Sequence, residues 1–309
     1  MNTNVITSQA HTAPAAEAKA GLSNGQVGEA IKTAAKREEP EWGALLNEAL
    51  TEPGKVSTAY SLFHSYSLGN SLWLLGQLYG RGIEPGPVAT FRQWQEMGRQ
   101  VRKGEKAFAM CMPMMVRHRN NDQNEDEPDA FTDRIIFAVR RNWFVVSQTD
   151  AIEGAEQKAH AFTEAPRFDI ARAVEALGLT RVPFSMVGGN CQGYAKPNAK
   201  EFAVSPVAVD PLKTAIHEIA HCLLHTDSAE FIDGEIPGRS LKEVEAEGTA
   251  YIVCASLCHT ARLDTMRGYI QNWLARSPEP FTDKNARRIF SAANRILKAG
   301  AERQEEQTP

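Results

Sequence analysis

The chain has 309 residues, 34 Lys and Arg against 38 Asp and Glu (net charge -4), and is 42% hydrophobic and 23% charged. That length accommodates two domains of about 150 residues each, and the composition excludes wholesale disorder. It also excludes a chain coated in positive charge, so any nucleic-acid contact has to come from a local basic patch.

Residues 1–38 are rich in Ala, Thr, Ser, Gly and Lys with few large apolar side chains, the composition of a disordered arm. Order is expected from about Trp42. Residues 60–79 carry Leu62, Phe63, Tyr66, Leu68, Leu72, Trp73, Leu75 and Leu78 at mostly helical spacing. After a Gly/Pro loop, a short helix is expected over 90–99. Alternation then predicts strands over 107–116 and 134–146, joined by a polar excursion at 117–133. Residues 151–166 read as a linker. The remainder reads as mostly helical: a short helix at 168–177, a strand at 201–204, then helices at 211–225, 241–258, 266–276 and 283–298, ending in a polar tail at 300–309. Asp210-Pro211 is a strong start signal for the first long one, because Asp accepts from free N–H groups and Pro suits the first helical position. No apolar run approaches the roughly 18 residues of a membrane span, so no membrane partner is expected. The first residues lack a basic region followed by an apolar one, and Cys111, Cys191, Cys222, Cys254 and Cys258 include no close CxxC pair. Reduced, mostly buried thiols in a cytoplasmic protein are the expectation. The fold class expected is α+β in two domains: a small N-terminal domain of mixed helices and antiparallel strands, 39–150, and a mostly helical C-terminal domain, 167–299.

His217-Glu218-Ile219-Ala220-His221 is an H-E-x-x-H motif inside the capped helix. Residues four apart share a helix face, so both imidazoles can bind one Zn²⁺. Glu218 stands where it can act as the general base toward a water at the metal. A catalytic zinc takes a third protein ligand, and the next helix offers Glu243, Glu245 and Glu247. Glu243 and Glu247 are four apart on a face running to Ala250 and Cys254, while Glu245 lies on a stripe with Thr249, Ile252 and Ser256 that reads as more exposed. Glu243 is therefore assigned as ligand and Glu247 as the residue orienting a ligand histidine from behind, with Glu245 as the alternative ligand. His225 reads as a helix-end residue, Cys254 and Cys258 as core thiols, and Tyr194 as a candidate donor to an oxyanion.

The first half carries a local basic excess over residues 81–106, including Arg92, Arg99, Arg102, Lys103 and Lys106, with Tyr60, Tyr66, Trp73, Trp94 and Trp143 nearby in sequence. Cations for phosphate and aromatic faces for bases suit single-stranded nucleic acid; basic turns and core aromatics give the same pattern.

Both halves resemble one family, the ArdC-like antirestriction proteins of conjugative plasmids. The resemblance runs through residues 60–75, Thr90-Phe91-Arg92-Gln93-Trp94 with Gly98, Val101-Arg102-Lys103-Gly104-Glu105-Lys106, and 143–149. It resumes over 217–225, 243–250 and Gly268-Tyr269-Ile270-Gln271-Asn272-Trp273-Leu274. It implies a single-stranded DNA-binding module at the N-terminus, for which Arg92, Trp94, Arg99, Arg102, Lys103 and Lys106 of the basic, aromatic stretch are the candidate contacts, and a zincin-like metallopeptidase domain whose acidic pair matches Glu243 and Glu247. The sequence departs from many relatives at Cys222-Leu223-Leu224, where they carry a Trp-Thr-Gly run, and at Phe144-Val145-Val146, where they carry an Asn after the Phe. What the resemblance implies is an antirestriction protein of a mobile element with single-stranded DNA as partner. An active endopeptidase acting on a host protein and a purely structural metal remain the alternatives.

Overall fold

The computed structural model describes residues 39–119, 131–158, 164–186, 190–227 and 238–302. The arm at 1–38, most of the polar excursion, part of the linker and most of the tail lie outside them. Pro40–Met110 and Arg140–Pro309 form one compact unit, and Cys111–Val139 belongs to a second. The fold is α+β, and the C-terminal half is mostly helical.

The chain opens with α1 (Trp42–Thr51), α2 (Lys55–Phe63) and α3 (Leu68–Gly80). The single helix expected over 60–79 is thus two helices. The break comes at Ser67, whose backbone is extended (φ -67°, ψ 146°), and the Ser71 hydroxyl donates to the Phe63 carbonyl at 2.8 Å across it. Gly69 lets α1 approach α3, since a Cβ there would sit 2.7 Å from the Trp42 ring. Trp42 in turn packs on Phe290, ring centroids 6.2 Å apart, and the Tyr251 hydroxyl donates to the Leu50 carbonyl at 3.1 Å. These N-terminal helices and the C-terminal ones therefore share packing within one unit.

Next come β1 (Val88–Thr90), α4 (Phe91–Glu96), β2 (Arg99–Val101), β3 (Phe108–Arg119), β4 (Phe131–Val145) and β5 (Thr149–Ala151). One sheet has the order β1-β4-β3, and β2 pairs with β5. The helix expected over 90–99 is shorter because Thr90 and Gln93 close a capping box at its start, and Gly98 leaves the helical region at φ +77°. A Cβ on Gly98 would meet the Glu156 carbonyl at 2.4 Å, so this turn requires glycine. Trp94, on α4, is fully buried in a cluster with Ala89 and Phe144.

The C-terminal half contains α5 (Ile170–Ala176), β6 (Thr180–Arg181), β7 (Gly193–Lys196), β8 (Glu201–Val204), α6 (Pro211–Leu224), α7 (Arg239–Ser256), α8 (Leu263–Arg276) and α9 (Asp283–Gly300). Its sheet has the order β6-β8-β7, with β7 antiparallel to β8 and β6 parallel to it. Helix α7 packs against α6, α8 and α9, and α6 also covers β7 and β8. Asp210 caps α6 by accepting from the Lys213 N–H at 3.0 Å, and its other oxygen lies 2.8 Å from His259 Nε2. Burial pushes the Asp210 carboxyl up, but these two partners outweigh it and hold the group below its ordinary value. A carboxyl lowered in the folded state stabilises above its unfolded pKa and loses that contribution as pH falls through the folded value. Asp210→Ala is expected to cost about 0.5–2 kcal/mol at neutral pH, with the difference from wild type closing on acidification below about pH 4. Thermal melts of both chains across a pH series check this.

No helix among the described residues is long and apolar enough to cross a membrane. Of the five cysteines, all free, Cys111, Cys222 and Cys254 are buried. Cys258 is exposed, against the expectation of a core thiol, because α7 has ended and the chain turns there at φ +57°.

Candidate metal centre

Helix α6 presents His217 and His221 one turn apart on the face that meets α7. The two Nε2 atoms lie 3.1 Å apart, and Glu243 Oε2 lies 3.5 Å from the first and 3.7 Å from the second. These three form a group of candidate metal-binding atoms among the described residues. A tetrahedral ion with ligand bonds of about 2.0–2.1 Å spaces its ligand atoms about 3.4 Å apart. The residues present therefore fit a divalent cation without rearrangement.

His217 is held from behind. Glu247 Oε2 lies 2.8 Å from His217 Nδ1 and accepts from Lys213 Nζ at 2.7 Å. This is the arrangement that turns the other ring nitrogen of a ligand histidine toward a metal. On His217 burial works to lower the pKa, but the hydrogen bonds to Glu243 and Glu247 outweigh it and raise the imidazole to about 9. Burial would likewise push Glu243 and Glu247 up, and the neighbouring histidines instead lower both. The centre thus carries a surplus of carboxylate charge directed at one point, the field a cation requires.

Glu218 is 7% exposed, and burial raises its carboxyl pKa. It lines a cleft of about 470 Å³ together with His217, Gly193, Gln192, Met266 and Tyr269. The wall facing it is β7. A Cβ on Gly193 would lie 2.9 Å from Glu218 Oε1 and 2.7 Å from Thr214 Cγ2, so only glycine allows the strand this close. Among the described residues β7 pairs with β8 alone and is the edge of its sheet.

Glu245 does not join the metal-binding atoms. Its stripe, expected to be exposed, is buried, with Glu245, Thr249 and Ile252 at 0%. The sequence of α7 conceals this because the helix is covered from several sides at once. Glu245 accepts from Asn285 Nδ2 at 2.9 Å and Arg288 Nε at 3.0 Å, and lies 3.0 Å from His225 Nε2. His225 is buried at the end of α6, with its Nδ1 2.9 Å from His221 Nδ1. Lys213, Asn285 and Arg288 carry no metal-ligand signature, so nothing local in the sequence marks them. The Tyr194 hydroxyl donates to the Pro183 carbonyl and meets the Ser185 hydroxyl, each at 3.3 Å.

The residues assigned to DNA contact separate into two groups. Trp94 has no exposed face, and its Nε1 donates to the Phe144 carbonyl at 2.9 Å, so it is a core residue and offers no surface for a base. Arg99 donates to the Thr149 hydroxyl and carbonyl, at 2.8 and 3.0 Å, tying β2 to β5. Arg102 donates to Glu105, Asp150 and the Ser147 carbonyl, closing the turn from within. Lys103 and Lys106 stand exposed on that turn, and Arg92 is exposed and paired with Glu96. Tyr60 and Trp143 are buried, Tyr66 and Trp73 are half-buried, and Tyr79 (56%), Phe91 (42%) and Phe137 (58%) are exposed.

Residues 27–144 match a family model described as the N-terminal domain of anti-restriction factor ArdC. The uncharacterised protein y4eC of Sinorhizobium fredii (strain NBRC 101917 / NGR234) is 28% identical over 262 residues, covering 80% of this chain and 79% of that one. Among solved structures, the metal-free antirestriction ArdC protein from plasmid R388 aligns with a TM-score of 0.41 at 20% identity. Its Mn(II)-bound form aligns at 0.40 and 21%; in both cases 89% of this chain and 94% of the other are covered. Over residues 27–144, then, the chain is similar to the N-terminal domain of anti-restriction factor ArdC.

Proposed function

We propose that this chain is a cytoplasmic antirestriction protein that binds single-stranded DNA through residues 39–150 and acts as a zinc-dependent peptidase through residues 167–299. The observation that carries the second half is the meeting of His217 Nε2, His221 Nε2 and Glu243 Oε2 beside the cleft carboxylate Glu218. When bound there, Zn²⁺ supplies Lewis acidity and lowers the pKa of a water toward neutrality. His217, His221 and Glu243 hold the ion. Glu247, itself held by Lys213, keeps the His217 proton on Nδ1. Glu218 takes the proton of the attacking water and returns it to the leaving amine, the general acid–base role its place in the cleft permits. The open edge of β7 suits an extended peptide, whose backbone would add as a further strand.

The DNA-binding half is supported by the family match and by the exposed cations Lys103, Lys106 and Arg92. Fluorescence anisotropy of labelled single-stranded and duplex oligonucleotides across a salt series tests it. Tight, salt-dependent preference for the single strand is expected. Lys103→Ala with Lys106→Ala should weaken binding at every sequence and flatten the salt slope by about 0.7 for each phosphate no longer neutralised. Equal binding to duplex, or none, rejects the DNA half. Zinc content of the purified chain, expected at one ion per chain, tests the other half independently.

A further inference from the structure

Behind His221 stands a second run of side chains that ligation itself does not need. At its far end is Glu245, fully buried on α7, which receives Asn285 and Arg288 from α9 on Oε1. Arg288 also donates to the Leu224 carbonyl at 2.6 Å, fixing the end of α6 to the same point. The other carboxylate oxygen faces His225 Nε2 at 3.0 Å, and His225 Nδ1 faces His221 Nδ1 at 2.9 Å. The backbone makes this possible: His225 leaves the helical region at φ -122°, ψ 34°.

The protons in this run are assigned by donor and acceptor chemistry. A carboxylate held by a guanidinium only accepts, so His225 carries its proton on Nε2. Because Arg288 already neutralises Glu245, His225 is neutral and its one lone pair lies on Nδ1. The short Nδ1–Nδ1 contact then needs its proton from His221. That leaves the His221 lone pair on Nε2, the atom 3.1 Å from His217 Nε2 and 3.7 Å from Glu243 Oε2. The opposite assignment would place a proton on that atom and close it to a metal.

We propose that Glu245 and His225 are positioning residues that hold His221 in its metal-binding tautomer through a carboxylate–imidazole–imidazole relay. The relay rests on the metal reading above. It does for His221, at two removes, what Glu247 does directly for His217. The alternative ligand of the sequence reading therefore acts on the metal without touching it.

The test measures Zn²⁺ affinity by competition with a chromophoric chelator, and Co²⁺ absorption spectra, on the full chain and two variants. His225→Asn places Oδ1 where Nδ1 stands and keeps an acceptor for the His221 proton; His225→Leu keeps none. Wild type is expected to bind one Zn²⁺, His225→Leu to bind about 10–100-fold more weakly, and His225→Asn to recover most of that loss. Recovery by Asn is the readout a merely structural role would not move. Equal loss in both variants, or loss in neither, overturns the relay. Failure of wild type to bind Zn²⁺ overturns the metal reading, and the relay with it. Proton–nitrogen couplings of the ¹⁵N-labelled imidazoles in the metal-free wild-type chain give a measurement that needs no variant. Protons on His221 Nδ1 and His225 Nε2 support the relay, and a proton on His221 Nε2 overturns it.

Discussion

Glu218→Gln is expected to keep zinc bound at full stoichiometry while lowering peptide hydrolysis about 10²–10⁴-fold, the usual contribution of a positioned general base. The two effects separate because Glu218 lines the cleft but is not among the three atoms that fit the cation. Gln preserves the length and volume of the side chain in a place where volume matters, since the Gly193 backbone packs against Oε1. It removes only the ability to take a proton. Hydrolysis of a quenched fluorescent peptide library, with zinc content measured on the same samples, gives the result. A variant as active as wild type would remove Glu218 from the chemistry; loss of zinc would make it part of the binding shell instead. Protection of incoming DNA by the same variant decides a further point. If protection survives while hydrolysis is lost, antirestriction resides in the DNA-binding half alone.

What the sequence discloses follows the range over which each signal acts. His217, Glu218 and His221 are legible because their geometry depends on one helical turn, and Asp210-Pro211 marks where that helix starts. The choice of Glu243 over Glu245 is partly legible. Spacing separates the two stripes of α7, but it cannot tell which neighbours cover each. Glu245 reads as exposed only while its partners are unknown; they are His225, Asn285 and Arg288, 20 to 43 residues away. The basic patch fails for the same reason. Arg99 is a candidate phosphate ligand in sequence and a brace in the fold, because Thr149, 50 residues on, completes β2 and β5. Lys103 and Lys106 remain exposed because Gly104, at φ +92°, turns the chain outward between them. Local periodicity gives helices and their faces. It does not say how many faces are covered.

Trp94→Ala is expected to destabilise the folded chain by about 3–5 kcal/mol, the range for removing a fully buried large aromatic. Trp94 has 0% exposure, packs with Ala89 and Phe144, and is flanked by Met97, Val101, Ala107 and Val146. Alanine leaves a cavity that β1, α4 and β4 cannot close, because these elements are bound to one another at Thr90↔Trp143 and its neighbours. It also removes the buried hydrogen bond from Nε1 to the Phe144 carbonyl, worth about 0.5–1.5 kcal/mol. Trp94→Phe keeps much of the volume and loses the hydrogen bond, so it should fall between alanine and wild type. Urea unfolding followed by circular dichroism measures all three. Single-strand affinity, measured on the folded population, should be unchanged in Trp94→Phe and lowered by Lys103→Ala with Lys106→Ala, which touch only the surface. Full stability in Trp94→Ala combined with lost DNA binding would reverse both assignments and make Trp94 a stacking platform. The burial of the ring and the direction of its N–H argue the other way: this tryptophan shapes the surface on which DNA would lie and does not meet it.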